Sequence, residues 1–367
     1  ARLSFQFNAD TKGDLYKSCV VYVDDGFKSL LTNKGAGIQS ATILSLFSYY
    51  TKQINTTGSA LLCVEEPELY LHPHARRVIS ETLDEFLDEN RNQVILTTHG
   101  VEFLRTANDT FNILLVRKGL QNGTSALVLD AREFLDLLIN NNQNEIFFAD
   151  KVILCEGLDE HIFRAAADEL FPGELDRQNV SIVSLGDKNR IVKLSRVILK
   201  LGIDAYVLAD FDFLLRDTTK TEGYDTKVHP SIEHLPTEFF AQAHVAGPSG
   251  GKFQGEIAKL RNKLRSDSPK AFYEGKNCSE FKDAQLFLAL KRFRSHGIGI
   301  LDAEIEHLSK EPSWLSPSKK LSLQHVYELR EWLNAGKKLA DLFELGPLKE
   351  FFEPIIGKKQ VASKKAS

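Results

Sequence analysis

Carboxylates stand where short apolar runs stop. Val152-Ile153-Leu154-Cys155 ends at Glu156-Gly157, with Asp159 and Glu160 just beyond, and the run 204–209 (DAYVLA) ends at Asp210-Phe211-Asp212. A strand that delivers an acid through a glycine turn into a helix start is a common way to build a metal or phosphate site. Residues two apart in extended backbone project to the same side, so Asp210 and Asp212 can face one pocket across from Glu156. Carboxylates held that close repel unless a cation neutralises them, and Mg2+ favours such hard oxygen donors. Taken singly, each cluster also fits an acidic helix cap or a solvated turn; their recurrence at successive strand ends is what favours a cation site. A further acid–apolar–acid segment, Asp302-Ala303-Glu304-Ile305-Glu306, follows the short strand pattern 296–301. On its residues alone it reads as an ordinary helix start.

Other chemistry is suggested earlier in the chain. Gly35-Ala36-Gly37-Ile38-Gln39-Ser40 opens an amphipathic helix. A glycine turn at a helix N-terminus offers backbone N–H groups and the positive end of the dipole to a phosphate, although many such turns only cap helices. An apolar strand, 60–64, ends in Glu65-Glu66-Pro67-Glu68; a helix follows over about 74–89, and a second strand, 94–97, leads into Thr98-His99-Gly100. At the carboxyl edge of such a parallel pair, one acid can hold Mg2+ and its neighbour can orient a water, while a histidine touches a terminal phosphate.

The elements that must position these groups follow from periodicity. From residue 151 the order is strand 151–155, helix 158–170, strand 180–185, helix 189–201 and strand 204–209, an alternation that predicts a parallel sheet with right-handed crossovers. Runs 111–117 and 125–129 predict a hairpin; a helix over 134–139 and a polar boundary at 140–144 follow. Residues 215–293 read as a helical insertion, with a flexible link at 246–251, a basic helix at 253–265 and the cluster Lys291, Arg292 and Arg294 available to DNA phosphates. Helices are expected over 323–333, 337–345 and 348–352, then a basic tail. The division is therefore 1–145, 146–350 and 351–367. A chain of 367 residues has room for two or more domains. Its net charge of −4 confines nucleic-acid binding to local patches or bound metal. The four cysteines (Cys19, Cys63, Cys155, Cys278) form no CxxC pair and fit reduced core residues of a cytoplasmic protein, and no apolar run is long enough for a membrane span. Methionine is absent, so the true start is expected upstream of Ala1.

The order GAGIQS, LLCVEEPELYLHP, ILTTHGVEF resembles the second half of an ABC-type ATPase head, in a form similar to the overcoming-lysogenization-defect (OLD) nucleases and their recombination-associated ATPase relatives. The resemblance implies a signature loop containing Gly35, Gly37 and Gln39, a metal-assisting Glu65, a water-polarising Glu66, a D-loop over 68–73 and a switch histidine, His99. It also implies ATP bound in a homodimer, since signature loops act on the partner's nucleotide. No GxxxxGK[ST] phosphate loop occurs in the chain, so ATP binding calls for an upstream half.

CEGLDE and LADFD resemble the Toprim domain shared by topoisomerases, primases and OLD nucleases. Leu214 holds the place of the third acid seen in some Toprim proteins, which favours the OLD branch. The fold class implied is α/β, a partial ABC-ATPase lobe plus a Rossmann-like Toprim domain with a helical insertion. The OLD resemblance makes Glu156, Glu160, Asp210, Asp212, Glu304 and Glu306 ligands of one or, more fully, two Mg2+ or Mn2+ ions. Glu156 and Asp210 are central to catalysis, and Lys337 or Lys338 stands near the metals. The expected protein is a cytoplasmic, metal-dependent DNA endonuclease regulated by an ABC-type ATPase, with phage defence or DNA repair as the setting the family suggests. The rival is a non-cleaving, ATP-gated DNA clamp or repair protein with an inert Toprim fold. Primase or topoisomerase activity is a third reading, and no nucleophilic tyrosine stands near the acids to support the latter.

Overall fold

A computed structural model describes residues 2–7, 19–54, 59–87, 92–104, 112–119, 123–130, 141–186, 188–210, 213, 290–291, 293–295, 297–316 and 319–357. Backbone contacts divide the chain into two compact units, Ala1–Asp109 and Thr110–Ser367.

In the first unit, β1 (Arg2–Phe7), β2 (Cys19–Asp24) and β3 (Lys28–Leu30) form an antiparallel sheet in that order. Helix α1 (Ala36–Ile54) follows the glycine turn. β4 (Leu61–Glu65) and β5 (Gln93–Thr97) pair in parallel with Glu65 opposite Thr97, and α2 (Pro73–Phe86) makes the crossover. Proline at the first turn of α2 costs the helix nothing, because that N–H has no intrahelical partner. Ile79, Leu83 and Phe86 share one face of α2 and pack with Leu62, Leu71 and Phe103. Strand alternation puts Leu62 in this core and its neighbours Leu61 and Cys63 outside.

The second unit opens with a hairpin, β6 (Asn112–Gly119) and β7 (Gly123–Asp130), antiparallel as expected. Arg117 ties it to the body of this unit by donating to the carbonyls of Ala149 (3.1 Å) and Gly202 (3.0 Å). The compact first unit thus ends before the hairpin, ahead of the boundary read at 145.

The main sheet holds β8 (Lys151–Cys155), β9 (Val180–Ser184), β10 (Asp204–Ala209) and β11 (Ile298–Ile300), ordered β11-β10-β8-β9 and parallel throughout. Crossovers run through α3 (Asp159–Leu170) with the short α4 (Glu174–Arg177), and through α5 (Lys188–Lys200). Strands covered on both faces read as continuous apolar runs, and residues 152–155 are wholly inaccessible. One face of the sheet, with Ile153, Cys155, Tyr206 and Leu208, packs on α3 and on the C-terminal helix α7 (Gly346–Ile356). Lys151 Nζ reaches the Ile355 carbonyl at 2.7 Å and Gln178 Nε2 the Ile356 carbonyl at 2.8 Å, fixing the end of α7.

Helix α6 (Leu323–Asn334) matches expectation, but the helix expected over 337–345 is only a 3-10 turn, Leu339–Asp341. Gly336 closes α6 at φ +75°, and the Glu169 carboxylate then captures the Leu339 and Ala340 N–H groups, which a continuing helix would have used. Asp212, Arg292, the helix over 134–139, nearly all of the insertion at 215–293 and the tail from residue 358 lie outside the described residues. Among the described residues no helix is long and apolar enough to cross a membrane.

Candidate metal and nucleotide sites

Because all four strands of the main sheet are parallel, their carboxyl ends share one edge. Glu156 leaves β8 there, Asp210 leaves the adjacent β10, and Glu304 and Glu306 follow β11 beyond it. The topology thus brings to one edge three of the acid groups read from sequence. Ser184 Oγ donates to the Glu156 carbonyl at 3.3 Å, tying the ends of β8 and β9, and the Leu301 N–H donates to the Ala209 carbonyl at 2.9 Å, tying β11 to the residue before Asp210.

The end of β8 carries a concentrated negative charge. Burial pushes the Cys155 thiol well up, and the Glu160, Asp159 and Glu156 carboxylates push the same way against Arg164. Glu160 lies on the first turn of α3, where its Oε1 stands 3.7 Å from the Arg164 guanidinium one turn on. Asp159, beside it, also suits the positive end of the helix.

At the other strands, Glu304 is extended and precedes a 3-10 turn, Ile305–Leu308, that contains Glu306. Glu306 is only 5% exposed. Its Oε1 accepts from the Leu321 N–H at 3.0 Å, while its buried Oε2 has no hydrogen-bond partner among the described residues. Lys320 Nζ lies 2.5 Å from Glu304 Oε2 and 3.8 Å from Glu306 Oε2. Burial pulls the Lys320 ammonium down, but the Glu304 hydrogen bond and the charges of Glu306, Glu304 and Asp210 outweigh it and leave it above the usual lysine value. Asp210 is therefore within electrostatic reach of the same ammonium. Behind this segment, Arg294 is buried and donates to Asp302 Oδ1 (2.9 Å), the Ile300 carbonyl (3.0 Å) and Glu350 Oε2 (3.1 Å). Read from sequence as a phosphate contact, Arg294 instead clamps β11 and the start of the acid segment. Lys291 pairs with Glu350 at 3.0 Å.

Lys337 is held elsewhere, and Lys338 is tied through its backbone. Lys337 Nζ sits 3.9 Å over the Trp332 ring, and the Lys338 carbonyl accepts from Trp332 Nε1 at 3.0 Å. Neither forms an ion pair with these acids among the described residues.

The donors fit a hard divalent cation in chemistry. All are carboxylates, the buried Glu306 Oε2 lacks a donor among the described residues, and a positive group is already drawn between Glu304 and Glu306. Among the described residues no group of three or more His, Cys, Asp or Glu side chains is spaced to hold a metal ion.

In the first unit, Glu65 ends β4 and Glu66 turns the chain at φ +43°, a left-handed backbone rare outside glycine. Its N–H still donates to the Thr97 carbonyl at 2.9 Å. His99 Nε2 stands 3.9 Å from Glu66 Oε1, and the imidazole is 79% exposed. Gly37 is required by close approach, since a Cβ there would lie 2.7 Å from the Tyr70 carbonyl oxygen. The glycine loop and segment 68–73 are thus in contact. Gln39 Nε2 donates to the Lys34 carbonyl at 2.7 Å, which fixes the loop's shape; a Cβ at Gly35 would meet only open space.

Sequence reasoning gave Glu68 no separate role, yet it organises this end of the sheet. It is 7% exposed, and its Oε1 accepts from Thr98 Oγ1 (2.7 Å), the His99 N–H (2.5 Å) and the Gly100 N–H (3.0 Å). Arg294 and Lys320 were likewise missed in these roles. The signal for Glu68 was an acid flanked by apolar residues directly after a strand end; for the two basic residues no local pattern exists.

Residues 3–104 match the AAA ATPase domain family, and residues 147–212 match the TOPRIM domain of overcoming-lysogenization-defect-like proteins. Curated relatives include the Old nuclease of Escherichia phage P2, 28% identical over 234 residues, which cover 58% of this chain and 39% of that protein. The OLD nuclease of Thermus scotoductus is 30% identical over 48% of this chain and 35% of its own length, and endonuclease GajA of Bacillus cereus 23% identical over 49% and 30%. The chain thus spans well under half the length of these relatives. A solved structure of an SMC ATPase superposes with a TM-score of 0.27 at 12% identity, covering 38% of this chain and 82% of that one, too loosely to carry weight.

Proposed function

We propose that this chain, an AAA ATPase domain joined to a TOPRIM domain of the overcoming-lysogenization-defect type, is the core of a metal-dependent DNA endonuclease whose ATPase portion controls access to DNA. The carrying observation is the shared strand edge to which β8, β10 and β11 deliver Glu156, Asp210, Glu304 and Glu306. These four, with Glu160 and Asp212, would hold Mg2+ or Mn2+. A pair of such ions would supply an activated water and would stabilise the leaving oxygen in phosphodiester hydrolysis. Glu156 and Asp210 anchor the set from the two central strands. Lys337, which would have to leave its Trp332 contact, or Lys338 stabilises charge on the scissile phosphate.

In the ATPase portion, Glu65 supports the metal, Glu66 orients water and His99 senses the terminal phosphate. Gly35, Gly37 and Gln39 face the nucleotide of a second copy in a homodimer. The distance of 3.9 Å between His99 Nε2 and Glu66 Oε1 supports a joint role at one phosphate. We place residues 1–145 with the ATPase, 146–350 with the nuclease and the protein in the cytoplasm.

The test is incubation of supercoiled plasmid with the protein in Mg2+ or Mn2+, beside Glu156→Ala and Asp210→Ala. Wild type should nick or linearise the DNA and both variants should lose this. Wild type that binds DNA without ever cutting it sinks the proposal and favours the non-cleaving clamp; variants that cut as well as wild type remove the acids from the site.

A further inference from the structure

Lys320 lies outside every motif, yet it is the lysine that the fold brings to the acids. Its Nζ is 2.5 Å from Glu304 Oε2 and 3.8 Å from Glu306 Oε2. The next residue, Leu321, donates its N–H to Glu306 Oε1 at 3.0 Å, so one carboxylate anchors the segment that carries the lysine. The other Glu306 oxygen is buried and lacks a hydrogen bond among the described residues; the ammonium stands 3.8 Å from it, too far for one. Leaving a buried carboxylate oxygen in that state is costly, and a nearby positive charge offsets part of the cost. The Lys320 side chain, in contrast, is 61% exposed and rides on a flexible four-carbon stem, so it has room to swing away. Mg2+ takes carboxylate oxygens at about 2.0–2.1 Å and cannot share the space between the two acids with an ammonium.

We infer that Lys320 is an exchangeable internal counter-ion: it neutralises Glu304 and Glu306 while no divalent cation is bound there, and it is expelled when one binds. The inference rests on the proposed reading of these acids as cation ligands. Lys320 then sets the cation concentration at which the site fills, and once expelled its ammonium stands free at the rim of a site facing a polyanion.

The test is Mn2+ binding to the full chain, followed by the electron paramagnetic resonance signal of free Mn2+. It compares wild type, Lys320→Met, Lys320→Arg and Lys319→Met; the last removes the same charge one residue away, where Nζ is turned to the Ser313 carbonyl. Lys320→Met should bind Mn2+ roughly 2- to 5-fold more tightly, the size expected for loss of a half-exposed ion pair. Lys320→Arg should bind no more tightly than wild type, and Lys319→Met should stay near it. The metal-free thermal midpoint of Lys320→Met should also fall, with the deficit closing when Mn2+ is saturating. Unchanged or weaker binding by Lys320→Met, or an equal gain in Lys319→Met, overturns the inference while leaving the cation site intact. Absence of Mn2+ binding in wild type and Lys320→Met alike removes the cation reading and this inference with it. Tryptophan emission from Trp314 and Trp332 in the same unit verifies that each variant is folded.

Discussion

Truncating Glu68 to alanine removes the single carboxylate oxygen on which Thr98 Oγ1, the His99 N–H and the Gly100 N–H converge. The three losses are unequal. Gly100 keeps an acceptor, because its N–H also meets Thr98 Oγ1 at 2.8 Å, and the Thr98 hydroxyl can rotate to a new partner. The His99 N–H loses its bond to that carboxylate outright. A hydrogen bond to a charged group is worth about 1.5–3 kcal/mol, and with the Thr98 and Gly100 losses partly compensated the first unit should lose about 2–4 kcal/mol. Glu68→Gln keeps a carbonyl oxygen for the same donors and forfeits only the charge, about 1 kcal/mol. Both tryptophans belong to the second unit, so their fluorescence follows that unit alone, whereas hydrogen exchange of residues 93–100 follows the first. Glu68→Ala should speed exchange there by about 30- to 700-fold, and Glu68→Gln about 5-fold, while the tryptophan urea midpoint stays at the wild-type value. Wild-type exchange rates in Glu68→Ala would refute the reasoning, and so would a tryptophan midpoint that falls with them.

Other expectations follow from contacts of the same kind. Gly299→Ala places a Cβ 2.6 Å from Leu208 Cδ1 and 2.7 Å from Phe351 Cδ2, so it should cost about 1–3 kcal/mol by overpacking, seen as a lower tryptophan urea midpoint. Arg294→Met leaves Asp302 and Glu350 without their buried guanidinium. Because both acids are partly solvated, the loss should be about 2–3 kcal/mol in urea unfolding, with a larger fall in plasmid nicking if the clamp positions the acid segment. Gly37→Ala meets the Tyr70 carbonyl rather than a movable side chain, so hydrogen exchange in residues 68–73 should rise by at least about tenfold. Burial first, then Glu160, Asp159 and Glu156, raises the Cys155 thiol, so its thiolate is scarce at pH 8; iodoacetamide should modify the exposed Cys19 and Cys63 and reach Cys155 only on unfolding, by peptide mapping.

What the sequence disclosed and what it hid divide by range. The β-α-β-α-β order over 151–209 was legible because strands buried on both faces must be apolar throughout and the helices between them carry a 3.6-residue stripe. Glu156 and Asp210 were legible for the same reason, since an acid interrupting such a run has no place inside the sheet. Glu304 and Glu306 needed a family likeness, because β11 is only three residues long and carries almost no pattern of its own. Lys320, Arg294 and Glu68 owe their roles to partners brought near by the fold, across separations that no window of sequence samples. The failed helix at 337–345 shows the same limit: its apolar spacing was adequate, but Glu169, far earlier in the chain, captures the backbone donors.

The seat of β11 beside β10 has a consequence for the order in which the protein is made. Ile298–Ile300 pair with Val207–Ala209, yet the ribosome delivers them only after everything between has been synthesised. At about 5–20 residues per second that interval is roughly 4–18 s, during which β8, β9 and β10 can assemble with an open edge. A nascent chain through nearly all of that interval carries Glu156 and Asp210 but lacks Arg294, Glu304, Glu306 and Lys320 alike. Acid pair, clamp and counter-ion arrive together in one late stretch, so a chain that stalls early holds half of the acid edge and neither the remainder nor its restraint.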